Sequence, residues 1–181
     1  MAYIDLKNQF PGIIGLMVDH SDTAKPLNAL AETLLRGPST LSTGERELIA
    51  AHVSSLNDCR FCTQSHAAAA SYFLKTDVAG PTGPTIQWDA LTVSPKMRAL
   101  LDVAAAVQKS GRAVTPALVE KAKSAGASDR ELHDTVLIAA AFCMYNRYVD
   151  GLGTWSPENR EDYVPTGQML GEKGYLNSLP A

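Results

Sequence analysis

Helix punctuation constrains this chain more than any other feature. Ser42 or Thr43, Ser94-Pro95, Thr115-Pro116 and Ser128 each stand just before a run whose apolar residues recur at helical spacing. Serine and threonine are preferred N-caps, and proline suits the first helical position because its missing N–H would have no partner there. Gly37-Pro38 and Gly126 mark helix ends. Sustained period-two alternation is missing and β-branched residues rarely cluster, so strands are not expected. The spacing predicts helices over about 22–36, 43–57, 59–74, 94–110, 115–126 and 128–152, and a more polar last segment from Ser156 with one further short helix or a strap over a neighbouring subunit. Thr76 to Trp88 holds two glycines and two prolines and reads as the loop between the helical halves. The expected fold is an all-α, single-domain helical bundle of about seven helices over residues 1–181, with a core of about 22–153 and a C-terminal extension at 154–181.

Composition excludes several classes of function. Apolar residues make up 45% of the 181 and charged residues 19%, a globular balance with enough apolar mass for one sizeable core. The net charge of −3 gives no basic field to hold nucleic acid or an anionic membrane, so neither is an expected partner. No stretch reaches the roughly 20 apolar residues a bilayer crossing needs. In the first twenty residues Asp5 stands where a secretory signal carries basic residues, and Pro11-Gly12 interrupts a short apolar run. The expected compartment is the cytoplasm, where a C-x-x-C pair serves catalysis or metal binding rather than a structural disulfide.

Two of the three cysteines form such a pair, Cys59 and Cys62, in the stretch ELIAAHVSSLNDCRFCTQSH from Glu47 to His66. Asn57-Asp58 is turn-prone, and Asp58 is the expected N-cap of the following helix. A tight turn there makes the flanking helices antiparallel neighbours. Glu47 lies about ten residues before the bend and His66 about eight after it, roughly 15 Å and 12 Å at the helical rise, so the two should stand level across the hairpin. Cys62, four residues before His66, shares its face. This order suits thiol chemistry. The thiolate is the nucleophile, and the first turn of a helix stabilises it. His66 is placed to accept the Cys62 proton, with Glu47 fixing the imidazole and passing the proton on. A Cys62 sulfenic acid formed on a hydroperoxide would condense with Cys59. A zinc site using Cys59, Cys62, His66 and Glu47 is the competing chemistry for the same residues. His20, His52 and His133 carry no expected role, and Cys143 is expected to be a plain buried thiol. Arg46-Glu47-Leu48 recurs as Arg130-Glu131-Leu132, each glutamate twelve residues before a cysteine, Cys59 or Cys143. Duplication of a helical unit and coincidence both account for this. The middle of the last long helix, VLIAAAFCMY, is apolar all round, which places it at the bundle centre or in a subunit interface.

The spacing E-x(11)-C-x-x-C-x(3)-H, with SSLNDCRFC around it and LHDTVLIAAAFCMYNRYVDGLG downstream, resembles the alkylhydroperoxidase D-like branch of the carboxymuconolactone decarboxylase superfamily, in particular its "peroxidase-related" members. The likeness spans about Thr43 to Gly153. It implies an all-helical fold assembling as trimers or hexamers, and a cofactor-free, metal-free reduction of hydroperoxides with Cys62 peroxidatic, Cys59 resolving and His66 and Glu47 as the proton relay. A dithiol reductant of unspecified identity would recycle the disulfide. Phe61 stands where that pattern often has a second histidine, which removes one proton carrier and makes the surroundings of Cys62 more apolar. The branch with lactone decarboxylase activity usually lacks the paired cysteines. The alternatives from other classes are a helical binding or assembly protein whose C-x-x-C is vestigial or metal-binding, and a redox sensor or disulfide reductase.

Overall fold

The computed structural model describes residues 2–78 and 91–179. Among them the chain forms eight α-helices: α1 (Gly12–Asp19), α2 (Ser21–Arg36), α3 (Thr43–Leu56), α4 (Arg60–Leu74), α5 (Pro95–Lys109), α6 (Pro116–Ser124), α7 (Asp129–Gly151) and α8 (Val164–Lys173). Short 3-10 turns lie at Gly111–Ala113 and Arg160–Tyr163, and the described residues hold no strand. The fold is all-α, as the patterning requires. The loop expected over Thr76 to Trp88 lies, from residue 79 on, outside the described residues. Among the described residues no helix is long and apolar enough to cross a membrane.

The caps act as the sequence anticipates. Ser42 and Ser128 each accept a hydrogen bond from the backbone N–H three residues on, that of Glu45 and of Glu131, whose side chains reach back to the cap, completing two capping boxes. Ser94 and Thr115 cap α5 and α6 with proline next in line.

The bend between α3 and α4 differs from the expectation. Asp58 does not cap α4: it takes the left-handed conformation at φ 58° and donates its N–H to the Ser55 carbonyl, so it closes α3. Aspartate tolerates this region better than most residues, which suits it to the position just past a helix end. The N-cap of α4 is Cys59, and the helix itself begins at Arg60. The consequence is positional. Cys59 stands outside the helix and Cys62 is its third residue, still in the first turn.

Helix α1 was not anticipated, because Pro11-Gly12 reads as an interruption. Pro11 instead occupies the N-cap position, and Gly12 takes φ +55° directly against the Phe61 ring. A Cβ at Gly12 would stand 2.2 Å from that ring, so only glycine lets α1 seat on the start of α4.

Helices α3 and α4 form the most extensive interface, with α7 and α5 against α3 and α8 along α4. The main core is built from Leu35, Leu48, Ile49, Val53, Leu100, Ile138 and Phe142 with their neighbours. A smaller cluster holds Cys59, Phe61, Cys62, Val149 and Tyr163. Gly167 brings α8 down on α4, since a Cβ there would lie 2.6 Å from the Ala68 carbonyl carbon. The segment after Ser156 therefore packs on its own chain, and Gly174 at φ +67° turns the tail inward so that Tyr175 is buried. Helix α7 is buried on one side only. Ile138, Phe142 and Tyr145 face the core, whereas Val136, Leu137 and Met144 are 37%, 41% and 43% exposed. It is also continuous through Cys143, which is half-buried and lies 3.7 Å from the Asn57 amide nitrogen, not fully enclosed as expected.

Candidate active site

Glu47 is the hub. It is fully buried in the fifth position of α3, past the capping box that Glu45 completes, and its carboxylate turns across the hairpin. His66 Nδ1 lies 2.7 Å from Oε2, so the two residues meet where the hairpin spacing sets them level. Two further groups close on Oε1. The Arg36 guanidinium at the end of α2 stands at 2.7 Å, and the Tyr175 hydroxyl donates at 2.7 Å from the tail. Arg36 is held in turn by the carbonyls of Leu35 and Leu170 and lies between the rings of Phe73 and Tyr175, at 4.8 Å and 5.0 Å from their centroids.

The electrostatics follow from burial and partners. Burial alone would raise the Glu47 carboxyl, but the hydrogen bond and charge of His66, with the Arg36 charge and the Tyr175 hydroxyl, hold it below the ordinary carboxylate value. Glu47 is thus an ionised acceptor at neutral pH. An ionised carboxylate only accepts, which makes His66 Nδ1 the donor and leaves Nε2 as the ring atom able to take a proton. The Tyr175 phenol is pushed well above its usual value by burial and by the Glu47 charge, so it stays a donor. Because Arg36 supplies a counter-charge, the carboxylate is paired whether or not His66 carries a proton.

Both cysteines of the pair are free and buried. The first intrahelical bond of α4 runs from Thr63 N–H to the Cys59 carbonyl, so Cys62 sits in the turn whose N–H groups precede the helical ladder. The Cys59 thiol is pushed far above its ordinary value, first by its hydrogen bond to Cys62 and then by burial. Cys59 therefore stays a thiol at neutral pH. Burial raises the Asp150 carboxyl, and its interaction with Cys59 offsets part of that rise.

Cys62 and His66 open together onto a cavity of about 70 Å³. Its walls are mostly apolar, with Ile13, Ile14 and Met17 from α1, Phe142 and Tyr145 from α7, Met169 and Leu170 from α8 and Phe61 beside Cys62, and Asn28, Ser65, Thr166 and Ser178 add polar atoms. Tyr175 closes the side toward Glu47. The space takes several water-sized groups. Among the described residues no group of three or more His, Cys, Asp and Glu is arranged to hold a metal ion. The geometry agrees with this, because three donors already occupy the carboxylate of Glu47.

The other histidines lie elsewhere. Burial pushes His52 down to about 4, His20 stands at the start of α2, and His133 pairs with Asp134 on the surface. Two residues of the site, Arg36 and Tyr175, escaped the sequence. Arg36 reads there as a cation in a helix's last turn, and Tyr175 sits in a polar tail without periodicity, 128 residues from its partner.

An all-α bundle with a buried dithiol beside a Glu–His pair defines the class. Residues 21–77, which carry α2 to α4 and the whole Glu47–His66 stretch, match the carboxymuconolactone decarboxylase family. Among solved structures, an uncharacterized peroxidase-related protein from Silicibacter sp. TM1040 is 26% identical, with a TM-score of 0.74 over 85% of this chain and 78% of that one. An uncharacterized peroxidase-related protein from Ralstonia eutropha JMP134, described as an alkylhydroperoxidase AhpD core, is 25% identical, with a TM-score of 0.75 over 87% and 81%. No curated protein sequence matches the chain. The chain thus carries a carboxymuconolactone decarboxylase family match over residues 21–77, within an all-α fold similar to peroxidase-related and alkylhydroperoxidase AhpD-core structures.

Proposed function

We propose that this protein is a cysteine-based hydroperoxide reductase. The observation that carries the proposal is the 2.7 Å contact between His66 and a fully buried, ionised Glu47, on the helix face that also bears Cys62. His66 Nε2 takes the Cys62 proton. The thiolate attacks the terminal oxygen of the hydroperoxide, the S–O bond forms as the O–O bond breaks, and the departing alkoxide recovers the proton from His66. The products are a Cys62 sulfenic acid and an alcohol. Cys59, a buried thiol three residues before Cys62, then attacks the sulfenic sulfur, giving the Cys59–Cys62 disulfide and water. A dithiol partner returns both cysteines to thiols. No cofactor enters these steps.

The lining of the cavity favours organic hydroperoxides of modest size over charged ones. The exposed Val136, Leu137 and Met144 on α7 support assembly into a homo-oligomer through that helix. The test is a thiol count. One equivalent of cumene hydroperoxide should remove two thiols per chain and release one alcohol, and Cys62→Ser should abolish both. Full peroxide consumption by Cys62→Ser would remove Cys62 as the nucleophile.

A further inference from the structure

One fully buried polar atom on a residue of the cavity wall has no hydrogen-bond partner among the described residues. Ser65 lines the cavity between Cys62 and His66, is 4% exposed, and its buried Oγ makes no hydrogen bond. A buried hydroxyl left unpaired costs free energy and is uncommon. Relief is close at hand, because a serine inside a helix readily donates to the carbonyl four residues back. Two hydroxyls on α4 do so: Thr63 Oγ1 donates to the Cys59 carbonyl and Ser71 Oγ to the Ala67 carbonyl, each at 2.8 Å. Ser65 does not, although the Phe61 carbonyl is its equivalent acceptor. Its hydroxyl is an unspent donor on a residue that lines the cavity. Ser65 is also three residues after Cys62, so the two side chains are neighbours on one helix face, with Cβ atoms roughly 5–6 Å apart. A hydroperoxide group bridges a gap of that size.

We propose that Ser65 is the substrate-positioning residue of this site: its hydroxyl donates to the alkyl-side oxygen of a hydroperoxide while Cys62 attacks the terminal oxygen. The inference rests on the peroxidase function proposed above and adds a residue to it. As the O–O bond breaks, negative charge gathers on the oxygen that Ser65 contacts, where a fixed donor in an apolar enclosure has its greatest effect. Ser65 gives a hydrogen bond and not a proton. The alkoxide is still protonated by His66, and Ser65 leaves the step unchanged.

Three measurements on Ser65→Ala test this: the rate of Cys62 oxidation by cumene hydroperoxide, the rate of Cys62 alkylation by iodoacetamide, and the thermal midpoint. The expected result is peroxide oxidation slowed on the order of 10–100-fold, alkylation at the wild-type rate, and a midpoint equal to or above that of the wild type, since the deleted atom has no partner. Equal peroxide rates overturn the inference, as does a parallel fall in both rates or a lowered midpoint, either of which would make Ser65 structural. A wild-type protein that leaves cumene hydroperoxide intact overturns the peroxidase function itself, and this inference with it.

Discussion

The tripeptide Arg-Glu-Leu occurs twice, at Arg46–Leu48 and Arg130–Leu132, and its two copies end in different chemistry. Both glutamates are buried and both are held below the ordinary carboxylate value. Glu131 is the third residue of α7, where its carboxylate reaches back to cap Ser128 and pairs with the half-buried Lys96. Glu47 is the fifth residue of α3, beyond reach of its cap, and that duty falls to Glu45. Two residues of register therefore decide whether a glutamate closes its own helix or is free to organise another one. The structural counterpart of Glu131 is Glu45, not Glu47. The downstream cysteines diverge as well: Cys59 stands at a helix break and Cys143 inside a continuous helix. The matching tripeptides are a coincidence of composition at two helix starts rather than copies of one site.

Alanine at each glutamate should separate the two copies most widely. Glu47→Ala leaves the Arg36 guanidinium buried against aromatic rings without its carboxylate, an expected loss of about 3–5 kcal/mol in urea unfolding together with peroxide turnover. Glu131→Ala gives up a capping box and a partly exposed ion pair, about 1 kcal/mol, and leaves turnover unchanged. Similar losses in the two variants would erase the distinction. Glu47→Gln keeps the shape but not the charge that orients His66, and should slow peroxide-driven oxidation of Cys62 on the order of 10²-fold, read by stopped-flow thiol titration.

Removing the Tyr175 hydroxyl is a milder cut on the same carboxylate. Tyr175→Phe should cost about 1.5–3 kcal/mol, as a hydrogen bond to a charged group does. Acid sharpens the comparison from another side. Both glutamates have folded values below their ordinary 4.5, so each contributes stability that is full above that pH and lost as the pH falls through its lower folded value. Urea midpoints measured from pH 6 downward should decline. Glu47→Gln and Glu131→Gln should each flatten part of that decline, additively, because the two carboxylates share no partner. The smallest effect is expected at Cys143. Cys143→Ala should change stability by less than about 1 kcal/mol and leave the thiol loss on peroxide treatment at two per chain.

What the sequence disclosed of the site was its one-dimensional part. Glu47, Cys62 and His66 lie on two helices joined by a short bend, so helical rise and the i, i+4 rule suffice to bring Glu47 and His66 together and to set Cys62 on the His66 face. The same local rules gave the helix starts, because a cap is a matter of three or four adjacent residues. Asp58 failed as a cap since a turn-prone residue suits the end of one helix as well as the start of the next, and only backbone conformation separates the two. The enclosure was illegible for a different reason. Arg36, Tyr175 and Gly12 acquire their roles through packing between distant segments, and neither spacing nor composition marks them. The half-buried state of α7 belongs here too: its all-round apolarity was plain, but which side met the core depended on α3 and α5.

The proposed chemistry requires that the Cys62 sulfur be the atom that meets the peroxide. The direct measurement is Cys59→Ser protein treated with one equivalent of cumene hydroperoxide and dimedone, followed by peptide mass spectrometry. A single sulfenic-acid adduct on Cys62, matched by one equivalent of alcohol, is expected. Label on Cys143, or peroxide left unreacted with Cys62 still a thiol, would contradict the account.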